Sequence, residues 1–320
     1  MIIYIEKQAV NYKQTKILLE KFKNAKVIYI NNYKNIFDKS YKNIDSKKSL
    51  IVAKLNSPAI TQAPFGYGHT KNSYFFKTSL NCIFDCSYCF LKGAFKNDNM
   101  VVFVNYNDIK KELSEKIKQF GPGEYWFYSS DYSDILGMDN FTNFCDNFIE
   151  FFEKYDNVKM EIRTKSGNIK PLLNLGFIPK NTEISFSLNP QELINKYEKG
   201  TSSLDSRIKA INDLHSLGFK VGVRFLPLLP VIDYEKIYLE FVDYLKDKIN
   251  FCNINSTFAG GLLFTKKDYN TIISKYPDLD ILHMLQLDSD NFYRESRKVR
   301  DTFYKMFKNL NKDCILCLDE

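Results

Sequence analysis

Apolar and polar residues change places along this chain in two rhythms. In the first stretch "IIYIE" (2–6), "KVIYI" (26–30) and "SLIVAKL" (49–55) read as short strands, and "YKQTKILLEKFKN" (12–24) carries its apolar residues at helical spacing. Residues 1–60 are therefore expected to form a small N-terminal α/β unit. "NSPAITQAPFGYGHTKN" (56–72) is rich in Pro, Gly and polar residues and reads as a linker or loop, placed at 61–74. From residue 75 to 320 strands and helices alternate. "YFFKTS", "EYWFYSS", "VKMEIRT", "EISFSL", "VGVRFLPL" and "FCNINSTF" are strand candidates, with "VVFVN" as an accessory strand. "NDIKKELSEKIKQF", "FTNFCDNFIEFFEKY", "SSLDSRIKAINDLHSLG" and "YEKIYLEFVDYLKD" are amphipathic helices, the third opening on serines and stopping at Gly218. Six strands alternating with helices predict a parallel sheet covered by helices, an open or partial (βα)6 barrel with a C-terminal extension.

Composition changes this picture little. The chain has 320 residues, 44% hydrophobic and 26% charged, as ordinary globular chains do. "MIIYIEKQAV" has no basic segment leading into an apolar one, and no apolar run reaches membrane-spanning length, so a cytoplasmic protein with no membrane partner is expected. The net charge of +7 is modest; part of it lies in "KNIFDKSYKNIDSKK", which reads first as a solvated surface and second as a nucleic-acid face.

The cysteines change it more. "NCIFDCSYCF" (81–90) places Cys82, Cys86 and Cys89 in a C-x3-C-x2-C loop directly after the first strand of the alternating region. In a barrel, chemistry collects at the C-terminal ends of the strands. A structural zinc takes four ligands, usually as two paired knuckles, and no partner pair stands at that spacing. Three thiolates on a [4Fe-4S] cluster leave one iron open. An open iron serves a function only when something else binds it.

With Tyr88 as the aromatic of C-x3-C-x-Φ-C, the chain resembles the radical S-adenosylmethionine enzymes. "CSYCFLKGAF", "SDYSDILGMDNFT", "IRTKSGNIKPLLNLGF", "EISFSLNP", "KYEKGTSSLDSRIKA" and "GFKVGVRFLPLLP" further resemble the spore photoproduct lyase family in order and spacing. The resemblance implies a partial (βα)6 barrel of radical-SAM type. It implies a cluster on Cys82, Cys86 and Cys89, with S-adenosylmethionine on the open iron and cleaved to a 5′-deoxyadenosyl radical that abstracts hydrogen from substrate. Tyr88 would lie beside the adenine, and Ser133, Lys165 and Ser187 would contact the cofactor. An electron donor such as flavodoxin or ferredoxin and a DNA or RNA substrate are the implied partners. The function expected is therefore nucleic-acid chemistry of the photoproduct lyase type. The alternatives are radical modification of a peptide or small metabolite, and, more remotely, a non-enzymatic iron–sulfur or zinc module.

Two positions depart from the family. Its DNA-repair members carry a hydrogen-donating cysteine where this chain has Asp131, and a tyrosine where it has Phe90. Asp131 is then a candidate substrate ligand or general acid/base, set against a loop-capping aspartate. Faithful repair is not expected from a site without that thiol. Arg163 and Arg224 lie inside apolar strand stretches and read as strand-edge charges, with an inward position pairing a carboxylate or phosphate as the alternative. Cys145 shares a helical face with Phe141, Phe144, Phe148 and Phe152 and reads as core, Cys252 as a strand residue, and the C-x2-C of Cys314 and Cys317 in "DCILCLDE" as structural residues of a last apolar strand, with a share in a second cluster or a zinc site as the alternative.

Overall fold

The structure, a computed structural model, describes residues 1–38 and 49–317, so most of the lysine-rich stretch and the last three residues lie outside the described residues. The main sheet holds the expected strands in consecutive order: β1 (Ser73–Phe76), β2 (Tyr125–Tyr128), β3 (Val158–Thr164), β4 (Thr182–Ser187), β5 (Lys220–Phe225) and β6 (Ser256–Ala259), all parallel. Ile60–Gln62 pairs antiparallel to β1 at one edge, and β7 (Ile315–Leu316) pairs parallel to β6 at the other. This is the partial (βα)6 barrel, with its two rims left open.

Each strand obeys the parallel-sheet requirement of burial on both faces. One face packs against the surrounding helices, for example Met160 and Ile162 in β3 and Ile184 and Phe186 in β4, all fully buried. The helix Leu204–Ser216 starts where Ser203 Oγ accepts the Ser206 N–H, and Gly218 then takes φ +90°, a left-handed turn that strongly favours glycine. The helix read over 141–155 is instead two, Ile135–Thr142 and Phe144–Phe152, broken at Asn143, which is left-handed. Asp139 Oδ1 accepts the Cys145 N–H at 2.7 Å across the break. Cys145 and the phenylalanines around it are core, as their spacing predicts. Cys252 is not in a strand: it sits exposed in a 3-10 turn, Phe251–Asn253, ahead of β6.

The N-terminal strands Ile2–Glu6, Lys26–Ile30 and Ser49–Ala53 form a second, parallel sheet. Met100–Phe103, the accessory strand, pairs there with Ser49–Ala53, and Ser79–Leu80 closes the edge antiparallel. That sheet thus draws on residues well beyond position 60, and the stretch read as a linker carries Ile60–Gln62 and the start of β1. Val102 and Val104 pack with Ile3, Ile5, Met138 and Phe141, so the two sheets sandwich the helix Ile135–Thr142. No helix among the described residues is long and apolar enough to cross a membrane.

Candidate active site

A cavity of about 280 Å³ opens at the C-terminal ends of the barrel strands. Cys82, Cys86 and Cys89 line it from the loop after β1. The loop is short and firmly held. Asp85–Cys86 pairs antiparallel with Glu198–Lys199, the Ser87 N–H reaches the Tyr197 carbonyl at 2.8 Å, and the Cys89 N–H closes a turn on the Cys86 carbonyl. The Phe84 N–H donates to Cys82 Sγ at 3.4 Å, the kind of backbone bond that stabilises a thiolate on iron. Burial first of all raises the Cys82 thiol well above its ordinary range and pushes Cys86 up to about 12. Both are therefore thiols until a metal displaces their protons. Among the described residues no three His, Cys, Asp or Glu side chains converge on a point that would hold one metal ion. The three thiols of one short loop are the residues that would hold a cluster. Donor softness, the shared cavity and the backbone N–H on sulfur all fit a [4Fe-4S] group.

The same cavity receives Ser133 and Asp134 from the turn after β2, Thr164 and Lys165 from the end of β3, and Ser187 from the end of β4. Asp134 joins these segments. Its Oδ1 caps the following helix through the Gly137 N–H at 2.8 Å and accepts Thr164 Oγ1 at 2.8 Å, while Oδ2 accepts the Lys165 N–H at 2.7 Å. Lys165 Nζ has no carboxylate partner among the described residues and stands 5.9 Å from the centre of the Tyr88 ring. Ser133 is buried with only the thioether of Met138, 3.5 Å away, as partner. Tyr88 is buried too, and its phenol donates to Glu198. Glu198 in turn is gripped by Arg207 at 2.6 Å and by Asn189 at 3.1 Å. Burial would raise the Glu198 carboxyl, but Lys165 and Arg207 outweigh it and hold it ionised. Tyr88 thus presents a fixed ring rather than a free hydroxyl.

Tyr67, Asp131, Arg163 and Cys317 also line the cavity. The Tyr67 phenol donates to Asp131 Oδ1 at 2.9 Å and receives Arg163 Nη1 at 3.1 Å. Burial raises the Asp131 carboxyl, with the Tyr67 bond and Arg163 opposing. Both arginines point into the barrel, overturning the strand-edge expectation. The reason is topological. Helices cover the outer face of every central strand, so the apolar set of the alternation goes outward and the polar set must turn inward. Arg224, fully buried, bridges Glu161 at 2.8 Å and Glu183 at 2.7 Å. Burial would lift the Glu161 carboxyl, yet Arg163 and Arg224 bring it down to about 2. Gly222 makes room for this network: a Cβ there would fall 2.4 Å from Glu183 Oε1 and 2.5 Å from Ser185 Oγ.

All the residues singled out for the site converge on this one cavity: the three loop cysteines, Tyr88, Asp131, Ser133, Lys165 and Ser187. The sequence reading missed Asp134, Glu198, Arg207, Tyr67, Glu161 and Cys317. Asp134 carried a signal, an N-cap aspartate before an apolar helix. Tyr67 carried none, because it lies in a Gly/Pro-rich stretch that reads as a linker.

A half-open parallel barrel whose strand ends surround a three-cysteine loop defines a partial barrel of the radical S-adenosylmethionine type. A model of the family described as spore photoproduct lyase matches residues 1–312, and the chain belongs to that family. It is 29% identical to a spore photoproduct lyase of Geobacillus sp. (strain Y412MC61) over 216 residues, 65% of this chain and 62% of that protein, so this match spans under two thirds of the relative. It is 26% identical to the Bacillus subtilis (strain 168) spore photoproduct lyase over 252 residues, 76% of this chain and 72% of that one. The fold superposes on a spore photoproduct lyase mutant solved with AdoMet and dinucleoside spore photoproduct, at TM-score 0.82, 23% identity and coverage of 98% and 97%.

Proposed function

We propose that this chain is a radical S-adenosylmethionine lyase acting on a thymine photoproduct in DNA. The observation that carries the reading is the convergence of a three-thiol loop on a cavity shared with the ends of β2, β3 and β4. Family membership supplies the substrate class, since relatives are named for the spore photoproduct. Cys82, Cys86 and Cys89 would hold the [4Fe-4S] cluster, and the cavity they line would take S-adenosylmethionine beside it. When bound and reduced, by a donor such as flavodoxin or ferredoxin, these groups supply reductive cleavage of the sulfonium and abstraction of a hydrogen atom from substrate.

The protein's own residues bind and orient. Lys165 offers a mobile point charge for the cofactor carboxylate, its backbone fixed by Asp134. Ser133 and Ser187 offer hydroxyls for amino, carboxylate or ribose oxygens. The Tyr88 ring, immobilised by Glu198 and Arg207, is a rigid wall for the adenine. Asp131, Tyr67 and Arg163 form a bonded set in the same cavity and are the groups left to meet the substrate.

The test is anaerobic. Iron-loaded protein, dithionite and S-adenosylmethionine are mixed with dinucleoside spore photoproduct, and 5′-deoxyadenosine and thymine dinucleoside are quantified. Formation of both is expected, in departure from the expectation drawn from Asp131 alone, because the cavity holds a further thiol, Cys317. Cofactor cleavage stimulated by a peptide or metabolite but not by the photoproduct overturns the substrate assignment.

A further inference from the structure

Hydrogen abstraction leaves a carbon radical, and a lyase must return a hydrogen atom to its product. Among side chains the thiol S–H and the phenol O–H are the bonds weak enough to serve; the cavity phenols of Tyr67 and Tyr88 already donate to Asp131 and Glu198, and the O–H of a carboxyl is far too strong. The turn after β2 offers Asp131, which has no thiol. Three of the four cysteines lining the cavity are committed to the cluster in the reading above. Among the described residues the other cysteines lie outside it: Cys145 and Cys314 are buried in the core and Cys252 is exposed in its 3-10 turn. The fourth lining thiol is Cys317.

We propose that Cys317 is the hydrogen-atom donor to the product radical, delivered from the far edge of the barrel. This rests on the radical-lyase reading of the site. β7 pairs with β6, the Cys317 N–H bonds the Ala259 carbonyl at 2.9 Å, and the chain direction carries the side chain to the same end of the barrel as the other strand termini. Cys317 Sγ sits 3.4 Å from the Tyr67 carbonyl. The Tyr67 phenol in turn bonds Asp131, so thiol and aspartate share one wall. A second observation marks this wall as ligand-binding. Glu161 lines the cavity, is 1% exposed, and leaves Oε2 without a hydrogen-bond partner, an acceptor waiting for an N–H such as that of a pyrimidine. Burial above all keeps the Cys317 thiol protonated, with its titration pushed up to about 11, and only the S–H form can give a hydrogen atom.

The step balances as follows. The S–H bond of Cys317 breaks and a C–H bond forms on the product radical, leaving the unpaired electron on sulfur. The sulfur regains its hydrogen as one electron and one proton. The electron comes from the class of one-electron reductant that reduces the cluster, and the proton from water.

Two arms test this. In the first, wild-type protein turns over dinucleoside spore photoproduct in deuterated water. An S–D group exchanges with solvent, so the thymine product should carry one solvent deuterium. Cys317→Ala and Cys317→Ser, checked for wild-type iron content, should continue to form 5′-deoxyadenosine but lose the deuterated product in favour of trapped radical by-products. Adding Asp131→Cys to Cys317→Ala should bring the deuterated product back. Clean, deuterated product from the Cys317 variants overturns the proposal, as does wild-type product without solvent deuterium. Absence of 5′-deoxyadenosine from the wild type sinks the underlying reading and this one with it, which a missing deuterium alone does not. The second arm needs no turnover. Apoprotein is alkylated with iodoacetamide at alkaline pH, where part of the raised Cys317 thiol is ionised and reactive, and mapped by mass, with and without the dinucleoside. Labelling of Cys317 that the dinucleoside suppresses is expected. A Cys317 that resists the reagent, or labels equally in both, is not at the substrate face, and the assignment fails.

Discussion

The two walls of the cavity are built from the same barrel yet in opposite ways. The cofactor wall starts from eight consecutive residues, Cys82 to Cys89, and a buried clamp fixes it from behind: Glu198 pairs through its backbone with Cys86, through its carboxylate with Tyr88 and with Arg207. The second wall has no such nucleus. Tyr67, Asp131, Arg163 and Cys317 come from four separate segments, and one contact joins residues 250 apart in the chain. The three thiols are neighbours in the chain, although the clamp behind them comes from residues 197–207. The other wall exists only once every strand from β1 to β7 is in register. The first group is therefore anchored on one local motif, and the second is a property of the finished barrel.

The largest effect should come from the cysteine loop. Replacing Cys82, Cys86 and Cys89 together with alanine should abolish iron binding and all reductive cleavage of S-adenosylmethionine. Circular dichroism should remain that of a folded α/β protein, since each substitution removes a single sulfur atom and only Cys86 belongs to the core. Iron content and 5′-deoxyadenosine are the readouts. Four irons retained in the triple variant, with Cys314 and Cys317 now required, would move the cluster to the other wall and break the comparison.

A third wall joins these two and should respond to pH rather than to either ligand. Gly261 and Leu262 line the cavity, and Glu295 accepts the Leu262 N–H at 3.2 Å. Glu295 Oε1 is buried without a partner, and burial raises its carboxyl from the ordinary 4.5 to about 7, against Arg300 and Arg294. The folded protein thus holds a proton that the unfolded chain releases above 4.5. Its contribution is fully present below pH 4.5 and is lost as pH rises through 7, at most about 3 kcal/mol in all. Glu295→Gln keeps an acceptor for Leu262 and cannot ionise. Apoprotein melting at pH 5 and pH 8 should show a smaller loss in the variant than in the wild type. Equal losses would place Glu295 among ordinary ionised carboxylates.

Much of this was legible in the sequence, and the failures share a cause. Strand and helix periodicity placed β1 to β6 because each is a continuous local pattern, and the C-x3-C-x2-C loop needed only its own residues. Arg163 and Arg224 were misplaced because alternation gives two faces without saying which is inside; the helical cover decides that, and it is a property of the whole barrel. The accessory strand Met100–Phe103 was legible as a strand, but not as a partner of Ser49–Ala53, since pairing is non-local. Cys317 looked structural in a short apolar segment. Its significance depends on β7 ending beside Tyr67 and Asp131.

The finest test separates two groups on the cofactor wall itself. Lys165 and Ser133 both face the cavity, and both are tied to Asp134 or its neighbours, but one brings a charge and the other a neutral hydroxyl. Losing a charge-assisted bond should weaken S-adenosylmethionine binding by about 1.5–3 kcal/mol, roughly 10- to 100-fold, in Lys165→Ala. Ser133→Ala should cost about 0.5–1.5 kcal/mol, roughly 2- to 10-fold, because its hydroxyl gives up only a weak thioether partner when it turns to a ligand. Equilibrium binding of the cofactor to iron-loaded protein measures both. Iron content should match the wild type in each, since neither residue is a thiolate. Raised salt should narrow the gap between the two variants, by screening the one interaction that is a point charge. A Lys165→Ala protein that binds the cofactor as well as the wild type would leave its ammonium in solvent. The carboxylate would then have to be met by the groups of the second wall, with Arg163 the available cation.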